Sequence, residues 1–466
     1  MPLKQFTTDF QELTKHQYLR FDEKFWFTTK NLATYDYALL KDIFYLLNGN
    51  SYTEFYTEEK TDIPYVRIGD LSFKHNIDDK NLIYLDESCE INEDKKLRKD
   101  DLILATIGAT IGKINLAREF EGGTFSNNTI LLRLKDKEKH NPYFYEKLFQ
   151  SNLLQKYIWG VVSQKAQPNL QSYDLKNVKI PLVAKSIQDQ IVAQIEPIEK
   201  KIKELKNQII PPQEIINKVF AREFGFDLEK FEELKKIKNY YLDLFSFGNN
   251  RDIRQSVKFH RKAGVFVNTQ LKKITNKKIK DFISEPIVLG KGVSPKNYDE
   301  NGDYYYISMA NIKNWQFESE DSKLVSKEYS DKNKNKTVAK DDILIARSGE
   351  GTIGKVALIE DENLQGIFAD FTMRIRLQNY NPLFAYYYFR TEYFQYLVEI
   401  NKKGLGNNTN IFPSQIQEFP MIDISPKSQQ KIVDEIKTEL DKQKEMKKKI
   451  EIQRNKIDEI IGKAIS

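Results

Sequence analysis

Apolar residues at Ile191, Ile195, Ile198, Ile202, Leu205 and Ile209 recur at alternating steps of four and three, with lysine and glutamate filling the positions between. This is a heptad seam, and it predicts a long helix that lays one apolar stripe against a partner. Near the other end of the sequence Val433, Ile436, Leu440, Ile450, Ile457 and Ile461 occupy the same kind of register, interrupted by Gln443, Lys447 and Arg454. Two matched seams predict that the two helices pair with each other. Pro197 near the start of the first and Pro211-Pro212 after it predict a kink or a helix restart. Outside these helices the apolar runs are short. "DDILIA" (Asp341 to Ala346) and the β-branched run after Lys355 read as strands.

The strand pattern repeats. "KDDLILATIGATIGKINL" (Lys99 to Leu116) reappears as "KDDILIARSGEGTIGKVAL" (Lys340 to Leu358), with one extra residue in the loop. The correspondence continues at an offset of about 240 residues. "YLRFD" faces "SVKFH", "PYVRIGDL" faces "YYYISMANI", "NTILLRL" faces "FTMRIRL", "NPYFYEKLFQS" faces "NPLFAYYYFRT", and "QDQIV" faces "QQKIV". The chain is therefore two diverged copies of one module, each ending in a long helix.

The repeat also decides how "SGEGTIGK" (Ser348 to Lys355) is read. Its glycines fit G-x-G-x-x-G and nearly fit the G-x-x-x-x-G-K-[ST] of a phosphate loop, but both motifs need a helix immediately downstream. Here a second strand is expected, Val356 offers no hydroxyl for magnesium, and the spacing is lost in the first copy at Gly108, Gly112 and Lys113. A strand-turn-strand loop is expected, with no nucleotide bound.

Composition narrows the choice of chemistry. The 466 residues are enough for several cores, and with one cysteine, Cys89, and four scattered histidines there is neither a disulfide framework nor a zinc cluster. No 18-residue apolar run and no signal-peptide core are seen, so a cytoplasmic protein with no membrane association is expected. A net charge of +6 and a pI near 8.8 are compatible with nucleic acid, and 12% aromatic residues point to folded domains.

With its two "DDLILATIGATIGK"-type cores, each followed by an "I-P-L…Q-x-x-I-V"-type stretch and a heptad helix, the chain resembles the specificity subunit of type I restriction-modification systems. The resemblance covers about Phe10 to Lys463. It departs from the family pattern before the glutamine, in "AKSIQDQIV" and "SPKSQQKIV", and in a long linker from Glu223 to Asn249. The implied fold is α/β (α+β), with two repeated target recognition domains separated by two long antiparallel coiled-coil helices about a pseudo-twofold. On that basis residues 1–184 form the first recognition domain and 185–249 the central helical spacer and linker. Residues 250–425 form the second domain and 426–466 the C-terminal helix. The implied partners are double-stranded DNA with a bipartite asymmetric site, two methyltransferase subunits and the restriction subunits. No cofactor is expected in this chain; S-adenosylmethionine would belong to the methyltransferase subunits, and ATP and magnesium to the restriction subunits.

Candidate DNA-binding residues fall at matched positions. Lys113 and Lys355 end the two glycine loops and suit phosphate contacts, although loop lysines are also often simply solvated. Gln164, Lys165, Gln167 and Asn169 in "SQKAQPN" match Asn407, Asn408 and Asn410 in "GLGNNTN". Amide side chains can pair with adenine edges, and equally serve as turn residues. Arg67, Arg347 and its neighbour Ser348 lie where the copies differ, as expected if each copy reads different bases. The alternative is a catalytic methyltransferase or nuclease. The only Pro-Pro pair, in "IIPPQE", supplies no base-receiving tetrad, and Asp86 with Glu93 and Lys95 is the one nuclease-like triplet noted. No catalytic or metal-binding residue is assigned.

Overall fold

The computed structural model describes residues 36–465 apart from 75, 78, 80, 163–167, 243–244, 246–255, 350 and 405–408. The chain divides into two compact units, residues 1–208 with 446–466, and residues 209–445.

In the first unit, β1 (Phe44–Asn48), β2 (Pro64–Val66), β3 (Leu102–Ala105), β4 (Ile114–Leu116), β5 (Thr124–Phe125) and β6 (Thr129–Leu134) carry the repeat. An antiparallel sheet runs in the order β1-β6-β3-β4, and β2 lies parallel to β5 in a second sheet. Strand β3 and the centre of β6, Ile130 to Leu132, are apolar without alternation because both of their faces are covered. Leu102, Leu104, Ile130 and Leu132 join the helix-facing core, whereas Ile103, Ala105 and Leu131 join Val66 and Phe125 on the other side. Helix α1 (Pro142–Gln150) starts at Asn141, whose side chain accepts from the amides of Tyr143 and Phe144, with proline as first helical residue. Helix α2 (Asn152–Val161) is capped by Ser151. After α2 a short helix (Ser172–Lys176) and a short strand (Lys179–Pro181) lead into the long α3 (Lys185–Asn207).

The second unit repeats this plan. Its strands β7 (Val288–Leu289), β8 (Tyr304–Ile307), β9 (Ile343–Ala346), β10 (Val356–Leu358), β11 (Gly366–Phe368) and β12 (Thr372–Ile375) give a sheet β7-β12-β9-β10 and a parallel pair of β8 with β11. After α3 comes α4 (Pro212–Phe224); then α5 (Pro382–Arg390) and α6 (Glu392–Asn401) stand where α1 and α2 stand, capped by Asn381 and Thr391. The long α7 (Pro426–Ile465) closes the chain. Part of the linker belongs to this unit's core, since Phe226 and Phe231 stack on Tyr393 with ring centres 4.2 and 5.1 Å away.

Residues that persist in both copies hold each module to its helix. The buried Gln188 on α3 accepts from the amide of Asn141 at 2.8 Å and donates to the Val183 carbonyl at 2.6 Å. Gln429 on α7 does the same for Asn381 and Ile424, at 2.8 and 2.9 Å. The second aspartate of each "KDD" forms a two-pronged pair with an arginine, Asp101 with Arg133 in β6 and Asp342 with Arg376 just after the matching strand.

The heptad seams bury as expected, and the pairing is antiparallel. In the first unit Ile191, Val192 and Ile195 share a core with Ile461 and Ile465, while Lys206 at the other end of α3 lies near Arg454. In the second, α4 takes over as the partner of α7, and Arg222 pairs with Glu435. Helix α3 continues through Pro197 and stops at Asn207, and Pro212 opens α4. Gln443, one of the residues that interrupts the second seam, accepts from the Ile210 amide at 2.9 Å in that gap. A polar residue in the seam thus satisfies backbone that a broken helix leaves open.

Candidate DNA interface

The two glycine loops are hairpin turns. β3 pairs antiparallel with β4, and β9 with β10, so the chain after each lysine returns as a strand. Among the described residues no α-helix follows either lysine to offer its N-terminus to a phosphate, and the expectation of a strand-turn-strand loop is met. The surviving "T-I-G-K" has a packing cause. Gly112 and Gly354 sit at φ +90° and +84°, and their carbonyls accept from the side-chain amides of Gln155 and Gln395 at 2.7 and 2.8 Å. A Cβ there would lie 2.4 Å from Gln155 Oε1 and 2.9 Å from Gln395 Oε1.

The residue that leaves the strand into each loop is fixed from both sides by backbone. Thr106 donates its amide to the Asn128 carbonyl at 3.1 Å, and its carbonyl accepts from Leu170 at 2.8 Å. Arg347 does the same with Phe371 at 3.0 Å and Ile411 at 2.9 Å. The next residues, Ile107 and Ser348, bridge to Asn169 and Asn410. The structure therefore brings together, in each unit, the glycine loop and the amide-bearing segment that were separate candidates in the sequence.

In the second unit this meeting point has a defined geometry. The Arg347 guanidinium lies over the rings of Phe371 and Phe412, at 5.8 and 5.5 Å from their centres, and one terminal nitrogen donates to Asn410 Oδ1 at 3.2 Å. Its buried Nε has no partner among the described residues. The Ser348 hydroxyl donates to the Thr409 carbonyl at 3.2 Å, and Thr352 Oγ1 donates back to the Ser348 carbonyl at 2.8 Å, which closes the loop.

The other candidates separate. Lys113 and Lys355 are half-buried at the loop ends and make no side-chain hydrogen bond among the described residues. Arg67 is held by Asp70 in an ion pair of 3.3 Å and donates to the Asn81 carbonyl at 3.0 Å, bracing a turn. Gln164, Lys165, Gln167, Asn407 and Asn408 lie outside the described residues. Phe371, Phe412, Asn128 and Gln171 were not singled out in the sequence, although "NTILLRL" and "FTMRIRL" already differ at their first position, where Asn128 and Phe371 stand.

The same unit that carries Thr106 has a cavity of about 890 Å³ lined by Lys74, Arg118, Lys147, Lys203, Lys206 and Arg454 together with acidic residues. Burial, with Arg454 and then Lys147 nearby, brings Lys206 down to about 8 against the pull of Glu199, so it sheds its charge at lower pH than an ordinary lysine.

The nuclease-like triplet does not converge. Asp86 accepts from Ser88, Glu93 pairs with Lys96, and Lys95 donates to Asn50. Burial, then the carboxylates of Asp86 and Glu54, push the buried Cys89 thiol up, away from nucleophilic use. Among the described residues no cluster of His, Cys, Asp and Glu could hold a metal, and no helix is long and apolar enough to cross a membrane.

Comparison with known proteins fits this geometry. The type I restriction modification DNA specificity domain matches twice, over residues 34–211 and 271–454. No curated protein matches the chain in sequence. Among solved structures, one described as the structural basis of complex assembly and conformational transition of the type I R-M system has a TM-score of 0.50 at 14% identity, covering 92% of this chain and 97% of that one. The S subunit of a type I restriction-modification system from M. genitalium is also similar, with a TM-score of 0.42 at 14% identity over 93% of this chain and 97% of that one. So is an HsdS subunit from Thermoanaerobacter tengcongensis, at 0.32 and 15% over 92% and 96%. Two copies of one fold, each matched by the same family along most of its length, leave one assignment: the chain belongs to the type I restriction-modification DNA specificity family.

Proposed function

We infer that this chain is the non-catalytic specificity subunit of a type I restriction-modification enzyme, and that each unit reads one half of a bipartite, asymmetric DNA site. The observation that carries the reading is the matched meeting point of glycine loop and amide-bearing segment, kept in backbone and in one asparagine (Asn169, Asn410) but changed in the side chains around it: Thr106 and Asn128 in one unit, Arg347 and Phe371 in the other. A scaffold kept constant under varied side chains is what two readers of different half-sites require. Lys113 and Lys355 would hold phosphates, and Arg67, Ser348 and the amides would flank the bases. The long helices would dock two methyltransferase subunits, with restriction subunits joining that assembly. S-adenosylmethionine, ATP and magnesium would act in those partners.

Exchange of residues 12 to 184 for the equivalent module of a related subunit tests this. Assembled with its methyltransferase partners, the chimera should methylate a sequence changed in one half only. A change in both halves would defeat the modular reading. So would methyl transfer by the purified chain alone, incubated with labelled S-adenosylmethionine and mixed DNA.

A further inference from the structure

We propose that the residue leaving β3 and β9 is a base-reading position shared by both units, built as a guanine reader in the second and an adenine reader in the first. The proposal rests on the half-site reading above and gives it a chemical identity. In the second unit Arg347 stands on this position, and the side chains around it come from the two backbone partners that fix it. Phe371 accepts its amide proton, and Phe412 follows Ile411, which bonds its carbonyl. Both rings stay 45% and 38% exposed beside the guanidinium, so together they present an apolar face that a planar or methylated group can cover. Lying over two rings and bonded to Asn410, the guanidinium has little rotational freedom left to lose on binding. Its other terminal nitrogen has no partner among the described residues, so the outer edge of the fork keeps donors for two acceptors. Guanine presents such a pair, O6 and N7, on its major-groove edge, and no other base does.

The first unit fills the same four places with Thr106, Asn128, Asn169 and Gln171. The cation and both aromatic rings are gone, replaced by a buried hydroxyl bound to the Asn128 carbonyl and by two amides, beside the asparagine that both units keep. A carboxamide offers one donor and one acceptor side by side, which matches the N6 and N7 of adenine. Phe371 and Phe412 act on guanine through Arg347, as positioning residues.

The full chain, assembled with its methyltransferase partners, is tested on duplexes carrying the sequence its own methylation pattern reveals. Arg347→Ala should relax preference at a single guanine in the half-site of the second unit, by about 10-fold or more, with every other position kept. Replacing that guanine with 7-deazaguanine removes N7 alone; it should weaken binding by the wild-type complex and have little further effect on Arg347→Ala. Phe371→Ala with Phe412→Ala should lower discrimination at the same position. The triple change R347T, F371N and F412Q should move the preference there from guanine toward adenine. Equal sensitivity of wild type and Arg347→Ala to 7-deazaguanine would overturn the proposal, as would a uniform loss of affinity with all preferences intact. Failure of the half-site reading looks different, because exchange of the whole unit would then change both halves of the methylated sequence, or neither.

Discussion

Gly354 and Gly351 lie three residues apart in one loop, both at positive φ, yet their surroundings differ. At Gly354 a Cβ meets Gln395 Oε1 and Val398 Cγ1, each at 2.9 Å, whereas at Gly351 it meets nothing within 4 Å. Gly354→Ala should therefore destabilise by about 2 to 4 kcal/mol, strain plus displacement of a half-buried, hydrogen-bonded glutamine, and Gly351→Ala by about 1 kcal/mol of backbone strain alone. Thermal denaturation of the two variants measures the difference; equal losses would show that the cradle formed by Gln395 has no energetic weight. Lys355 next door has a different role. Lys355→Ala should weaken DNA binding on all sequences and reduce the salt dependence by up to about one counterion, while ATP, GTP and dinucleotides show no saturable binding to either form. At this scale the sequence was informative where chemistry is local. The glycines and lysine of the loop could be read from the strand on either side. The contact of Arg347 with Asn410 could not, because 63 residues separate them and only the folded backbone brings β9 to that segment.

Elements are held by residues that look unremarkable in the sequence. Glu418 receives hydrogen bonds from Lys278 at 2.6 Å and Lys280 at 2.7 Å, tying the entry of the second module to the stretch before its long helix. Those two ammonium groups hold its carboxyl down at about 2. Because the folded state binds this proton less readily than the unfolded chain, the pair stabilises above the unfolded value of about 4.3, and the contribution is lost as pH falls from there toward 2. Glu418→Gln should thus lower the thermal midpoint of the protein slightly at pH 7, with the gap closing by about pH 2; the effect is small because the pair is open to solvent. A gap that persists at pH 2 would mean the side chain acts by packing instead. The heptad seam made both helices legible, and the prolines marked where α3 ends. The partner change could not be read from the seam, since α4 has no heptad run of its own and is positioned by Phe220 against Phe384 and by Arg222 on Glu435.

For the molecule as a whole, the repeat was legible because both copies keep the residues that carry long-range bonds: Asn141 and Gln188, Asn381 and Gln429, Asp101 and Asp342. What each copy reads was not legible, since that information lies in the substitutions. If the paired helices set the distance between half-sites, removing seven residues from α3 together with seven from the facing stretch of α7 should change the number of unspecified bases tolerated and leave the bases themselves unchanged. Methylome sequencing reports both, and an unaltered gap would remove the helices from that role. One further consequence follows from α7, whose residues up to 445 complete the second unit while residues 446–466 complete the first. During synthesis the second unit has all its parts once residue 445 has left the ribosome. The first, although made earlier, still lacks Ile461 and Ile465 from its core. The later domain can thus finish before the earlier one, and until α7 is fully made the apolar stripe at Ile191 and Ile195 stays uncovered, a surface for a chaperone or a waiting subunit to occupy.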